Sequence, residues 1–415
     1  MKLKLTKLER AWIMYDVGNS AFVLLVATII PIYFNYLADL ENISSSDYLA
    51  YWGYAASIAT ILVAVIGPVC GTIADTRNMK KKIFIVCLLV GTIGCASLGL
   101  VTHWIAFLAV FVIAKVGFSS SIVFYDAMLT DVTTEERMDD VSSQGYAWGY
   151  IGSCIPFIIG LCLVLFGDKI GLTMQLSMTI AFLLTAVWWF VVTIPLLRQY
   201  RQLHYVENQG QIIRRSFGRL WNSLREMKKE KHVFMFLLAF FFYIDGVYTI
   251  IDMATAYGES LGLDSTGLLL ALLVTQIVAF PFCLIFAWLA KKYKGTTLIS
   301  ICIGAYFLII LYAMQLDKQY EFWILAVCVG MFQGGIQALS RSHFAKIIPP
   351  EKSGEYFGLL DICGKGASFL GTTLISVISQ ITGKVNIAVG SIAFIFIIGF
   401  VIFRKAVAMM PDHAR

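Results

Sequence analysis

Lys115 sits halfway along an uninterrupted apolar stretch, VFVIAKVGFSSS, too far from either end for its ammonium to stretch to water. An ionised group at the centre of a bilayer costs at least ~2.5–3.5 kcal/mol, so such a residue faces a polar cavity or pairs with another charge. Asp245 lies near the middle of a second apolar run, and Asp252 follows two helical turns later on the same face. Two carboxylates so aligned suit a cation path or a proton relay; hydroxyl or water partners are the alternative. Asp361 and Lys365 are spaced to neutralise each other within one helix. Asp16, roughly two turns from Arg10, suits either a binding role or pairing with an arginine outside the membrane. Asp126, nearer the end of its run, reads as structural. Gln333, Gln337 and Gln144 offer hydrogen bonds to a polar ligand, with Tyr146 and Trp148 as walls. The set holds both signs. Lys115 or Lys365 suits the carboxylate of a zwitterion, and Asp245 or Asp252 its ammonium.

A second constellation is GTIADTRNMKKK, starting at Gly71. Gly71 permits close helix contact. Asp75 stands at the end of an apolar run, and Arg77, Lys80, Lys81 and Lys82 supply cations. Read alone, the segment has a basic turn capped by an aspartate as its alternative. The equivalent segment further on, FAWLAKKYKGTT, keeps the cations but has Trp288 in place of the acid.

These groups are carried by a chain of 415 residues, 59% hydrophobic and 14% charged, with mean hydropathy +0.79. A soluble protein of that length needs far more polar surface. Apolar runs fall near 11–38, 51–74, 83–101, 104–129, 145–166, 172–197, 233–258, 266–290, 298–316, 322–340, 356–381 and 385–403. Each suffices for a membrane helix of roughly 20 residues, and none shows the alternation of a membrane barrel. The sequence therefore predicts an all-α membrane protein of twelve transmembrane helices in two six-helix, pseudo-symmetric halves. The first run exceeds a signal-peptide core and lacks a cleavage site, so it reads as an uncleaved helix. Lysines and arginines in alternate loops divide 27 to 3, which predicts both termini in the cytoplasm of a cell or inner membrane.

The halves are expected at 1–197 and 233–415, joined by a basic linker, 198–232. Within 212–231, Phe217, Leu220, Trp221 and Leu224 share one helical face against six cations. That suits either a helix on an anionic inner leaflet or a plain basic linker. TTEERMDDVSSQGYAWGYIGS (133–153) aligns without gaps on IPPEKSGEYFGLLDICGKGAS (348–368), and GPVCGTIAD (67–75) matches FPFCLIFAW (280–288). Matches at corresponding places favour parallel repeats. All nine cysteines lie inside apolar runs without a CxxC pair, so no disulfide framework or metal site is expected. No cofactor and no nucleic-acid partner is expected either, and a monomer is.

The loop starting at Gly71, between the second and third runs, resembles the signature of major-facilitator transporters. In that superfamily the segment acts as a conformational latch, which assigns the role to Gly71, Asp75, Arg77, Lys80 and Lys81. With Trp288 in its acid position, the second latch is expected to be degenerate or absent. ERAWIMYDVGNSAF (9–22), FLLAFFFYIDGVYTIIDMATAYGESLGL (236–263) and GMFQGGIQALSRSHFAKIIPPEKSGEYFGLLDICGKGAS (330–368) resemble the vacuole-effluxer-like branch, which includes autophagy-related amino-acid effluxers. The likeness runs through nearly the whole chain. It implies a secondary transporter working by alternating access on a small metabolite, with amino-acid efflux the leading substrate reading and proton coupling allowed by the buried acids. A sugar, lipid or drug exporter is the alternative. A transport-dead receptor or scaffold is the alternative of another class. No Walker motif is present, and the GxGD of an intramembrane aspartyl protease is missing.

Overall fold

The computed structural model describes residues 4–43, 45–207 and 230–410, without the side chains of 45–50, 255–256, 259–260, 265–266, 269 and 365–369. The helices are α1 (Lys7–Ala27), α2 (Ile29–Leu40), α3 (Ser45–Ala74), α4 (Lys80–Ser97), α5 (Trp104–Ala127), α6 (Leu129–Val132), α7 (Glu135–Phe166), α8 (Met174–Gln199), α9 (Lys231–Ser260), α10 (Ser265–Leu289), α11 (Gly295–Ala313), α12 (Gln319–Ile347), α13 (Ser353–Thr382), α14 (Val385–Gly390) and α15 (Ile392–Met409). Eleven described segments are long and apolar enough to cross a membrane. The twelfth crossing is α13, a helix of 30 residues. The all-α, twelve-crossing architecture follows.

Local chemistry sets the ends. Thr6 and Glu9 form a reciprocal capping box at the start of α1. The first apolar run is broken at Thr28, one turn before Pro31. A proline in helix clashes with the carbonyl four residues back and leaves it without a donor, so α1 stops and α2 restarts. Asp264 caps α10 by accepting from the Gly267 amide at 2.7 Å.

The chain forms two compact units. The first takes Met1–Val132, Trp148–Ile212 and Glu351–Gly358; the second takes Thr133–Ala147, Ile213–Pro350 and Leu359–Arg415. Each therefore contains most of one set of six crossings plus the leading end of a helix from the other set. In the first unit α1 packs on α8, α3 and α4 on α5, and α4 on α8. In the second, α9 packs on α15, α10 and α11 on α12, and α11 on α15, which is the same scheme one repeat later. Lipid tails give helices no hydrophobic reason to associate, so the contacts depend on small residues. A Cβ on Gly117 would strike the Gly91 backbone of α4, and one on Gly399 of α15 would lie 2.9 Å from the Tyr243 amide nitrogen of α9.

Two sequence boundaries shift. The fifth apolar run begins near 145, but α7 begins at Glu135; its first turns are polar because they pack in the second unit. Residues 212–231, where a surface helix is one of the two expectations, fall almost wholly outside the described residues.

Candidate functional site

In the first unit, α3 ends against the start of α13. Asp75 is buried and accepts from the amides of Gly354 at 2.7 Å and Glu355 at 2.9 Å, so it occupies the positive end of that helix. Gly71 makes the approach possible, since a Cβ there would collide with the Gly354 carbonyl. Lys80 is not a solvated member of a basic cluster. Its side chain is wholly buried, and Nζ reaches Asp131 at 3.2 Å and the Ser353 hydroxyl at 2.8 Å. Arg77 lies 5.4 Å from the Tyr205 ring centre, and Lys81 Nζ reaches the Tyr200 carbonyl at 3.5 Å.

Asp131 is the residue that sequence reasoning missed. Besides Lys80, it accepts from the Tyr200 hydroxyl at 2.5 Å and from the Leu203 and His204 amides at 3.1 and 2.9 Å. The His204 ring lies 3.0 Å away, and the carboxylate beside it holds that imidazole above its usual pKa. The available signal was an acid at the end of an apolar run, the same position as Asp75. Residues 200–207 thus lie across the cluster, and the strap is fastened twice more. Val206 donates its amide to the Asp75 carbonyl at 2.7 Å, and Gln202 donates to the Ala74 carbonyl at 3.0 Å.

Burial pushes the Asp75 carboxyl up to about 7, more than Lys80 and the two amides pull it down, with Glu355 adding to the rise. The sign follows. Burial of the carboxyl raises this pKa above the ordinary 3.8 despite the two amides, so the stability linked to its buried, protonated form is full below that value and is lost as pH rises through about 7. Hydrogen exchange at the Gly354 and Glu355 amides, corrected for intrinsic rate, is expected to show protection falling from about pH 6 to about pH 8 in the native protein. Asp75→Asn keeps one acceptor and cannot ionise, so its protection should be lower and flat with pH. Equal pH dependence in both proteins would remove Asp75 as the titrating group.

The second unit builds an equivalent cluster without an acid at Trp288. Asp140 of α7 pairs with Lys291 at 3.1 Å, and Asp139 pairs with Lys346 at 2.6 Å and accepts from Ser342 at 2.6 Å. Arg341, also buried, donates to the Ser142 hydroxyl and carbonyl at 2.9 and 3.0 Å and lies 4.4 Å over the Tyr146 ring. The acids come from the leading end of α7 instead of the end of α10.

Deeper in the helices, Lys115 on α5 is half-buried, with Nζ 5.6 Å from the Phe118 ring centre. Asp16 is buried on α1 and receives the Asn19 amide at 3.5 Å. Asp245 is wholly buried on α9, whereas Asp252 two turns on is exposed. Asp361 is half-buried on α13, and the side chain of Lys365 lies outside those described. Gln333 helps line a narrow, partly open cleft between α9, α10 and α12, with Thr275, Gln276, Ile251, Phe322 and Val329 among its walls. Gln337, one turn beyond Gln333, is half-buried and not among the lining residues. Gln276 and Thr275 are polar cleft residues that the sequence alone did not single out. Among the described residues no group of acids, cysteines and histidines is placed to hold a metal ion.

Twelve crossings in two repeated units, with charge clusters at the ends of both, define a transporter of the major-facilitator class. The chain belongs to the family described as vacuole effluxer Atg22 like, whose model matches residues 42–136 and 130–410. It is 42% identical over 418 residues to the uncharacterized MFS-type transporter YxiO of Bacillus subtilis, covering 100% of this chain and 97% of that protein. It is 28% identical over 282 residues to autophagy-related protein 22 of Saccharomyces cerevisiae, spanning 59% of this chain and 53% of the yeast protein. Among solved structures, the Escherichia coli fucose:proton symporter FucP superposes with a TM-score of 0.71 at 15% identity, covering 96% of this chain and 97% of that one. At that identity the likeness concerns the fold alone.

Proposed function

We propose that this transporter exports an amino acid by alternating access, with proton coupling. In this reading 1–197 and 233–415 are the moving halves, 198–232 is their linker, and Gly71, Asp75, Arg77, Lys80 and Lys81 form the latch. The observation that carries the substrate class is the cleft between α9, α10 and α12: its apolar walls are interrupted by Thr275, Gln276 and Gln333. Such a lining suits a small molecule with an apolar portion and a few hydrogen-bonding groups. Asp252, next to the cleft residue Ile251, supplies an anion for an ammonium, and Lys115 of the first unit is a separate candidate cation for a carboxylate. The name of the matching family, an effluxer, favours export.

The test is a thermal-shift screen of purified protein against the common amino acids, followed by counterflow in proteoliposomes. A true substrate at a hundred times its Kd adds about 2.7 kcal/mol of stability. Lys115→Met is expected to keep the native melting temperature and lose that shift. Stabilisation by sugars alone would sink the amino-acid reading, and stabilisation without flux would make the protein a receptor.

The 27 to 3 cation count supports both termini in the cytoplasm. On a background without reactive cysteines, Asp317→Cys should label from outside intact cells with an impermeant thiol reagent. Outside labelling of Gly210→Cys would invert the topology.

A further inference from the structure

Tyr15 and Tyr243 mark the same place in the two units. Each hydroxyl meets a serine, Ser121 on α5 at 2.6 Å and Ser340 on α12 at 2.7 Å. Three residues on, Gly18 brings α1 against Trp189 of α8, and Gly246 brings α9 against Phe396 of α15. This register makes Val17 of α1 and Asp245 of α9 equivalent. Each also packs on a glycine. Val17 packs on Gly152 of α7, and Asp245 packs on Gly371 of α13. An apolar side chain therefore satisfies the packing, and the second unit places a carboxylate there instead.

That carboxylate is poorly provided for as an anion. Oδ1 accepts from the Gly371 amide at 2.9 Å and from the Thr249 hydroxyl at 3.5 Å, while Oδ2 is buried with no hydrogen-bond partner. Among the described residues no lysine, arginine or histidine forms an ion pair with it. A buried ionised carboxylate needs a cation or several donors, so this geometry accommodates the neutral acid. It does not suit a metal cation. Such ions take about six oxygens, whereas here an N–H is aimed at Oδ1 and Thr249 supplies the one other side-chain oxygen in hydrogen-bond contact.

We propose that Asp245 is the group that takes up and releases the coupled proton, and that α13 moves with its protonation. The assignment rests on the proton-coupled reading above. On release the Oδ2–H bond breaks, its electron pair stays on the carboxylate, and the proton passes to water admitted as Gly371 withdraws. The helix that withdraws is the one whose leading amides, at Gly354 and Glu355, are held by Asp75.

The test compares native protein, Asp245→Asn and Asp245→Val, the last copying Val17 and so expected to fold. Infrared spectra during a pH titration, all taken with Asp75→Asn so that Asp75 adds no carboxyl band, should show the carbonyl stretch of a protonated carboxyl where Asp245 is present and not in either Asp245 variant. Counterflow of a labelled amino-acid mixture should respond to an imposed pH gradient in the native protein and lose most of that response in Asp245→Val. Persistence of the band in the Asp245 variants, its absence where Asp245 is present, or its loss on adding sodium but not choline chloride would each overturn the assignment. Gradient-dependent flux that survives in Asp245→Val would overturn the assignment alone. Flux indifferent to the gradient in native protein would sink the proton-coupled reading, and with it Asp245 as its carrier.

Discussion

Replacing Lys80 by methionine is expected to destabilise the protein by about 3–5 kcal/mol, the usual result of stranding a buried charge. The side chains of Lys80 and Asp131 are both wholly buried, and removing the ammonium leaves Asp131 facing Tyr200, two amides and the His204 ring. Those donors reduce the penalty without replacing the cation. Thermal unfolding of the purified protein in detergent should show a clear fall in midpoint, and Lys80→Met with Asp131→Asn should recover most of it. A single variant melting like the native protein would mean that the pair contributes nothing to the fold. Surface lysines set the comparison. Lys82→Met in the same run should shift the midpoint by no more than ordinary surface substitutions do.

Gly71→Ala is expected to have the second large effect, through a clash instead of a lost charge. A methyl group there meets the Gly354 carbonyl and the Glu355 Cα, backbone atoms that cannot rotate aside. Overpacking of this kind costs about 1–3 kcal/mol, enough to lower occupancy of the Asp75 contact by about fivefold or more. Exchange at the Gly354 and Glu355 amides should accelerate accordingly, and transport should slow. Gly53→Ala is the control, because nothing lies within 4 Å of a Cβ at that position. Equal exchange in Gly71→Ala and native protein would show that α3 and α13 separate freely without help.

Much of this organisation is legible in the amino-acid order. Runs of twenty apolar residues leave few alternatives to membrane helices, and the Gly71–Asp75 spacing by itself points to a close helix contact. The burial of Lys80 is not legible, because three consecutive lysines read as solvated cations and only the fold shows which one turns inward. Asp131 escapes notice for a related reason: four of its contacts come from Tyr200, Leu203 and His204, about seventy residues away, and no local pattern announces that. Trp288 misleads by a different route. Its position suggests a missing acid, but the charge is supplied by Asp139 and Asp140 from another part of the chain. Asp252 differs from Asp245 in burial for a geometric reason, since sharing a helical face does not fix a shared depth of burial.

The traded helix ends bear on how such proteins can be recombined. A hybrid joining the first 200 or so residues of this chain to the remainder of a relative would inherit Asp139, Asp140 and Ser142 from one parent and residues 291, 341 and 346 from the other. The same hybrid would set Asp75 of one parent against residues 354 and 355 of the other. The ion pairs of the second unit would then depend on both parents, although the splice lies far from them in sequence. A workable exchange carries the segments Thr133–Ala147 and Glu351–Gly358 with the bundles that receive them, not with the helices that contain them. Natural divergence faces the same constraint, so substitutions at Asp139 or Lys346 should be inherited as matched pairs.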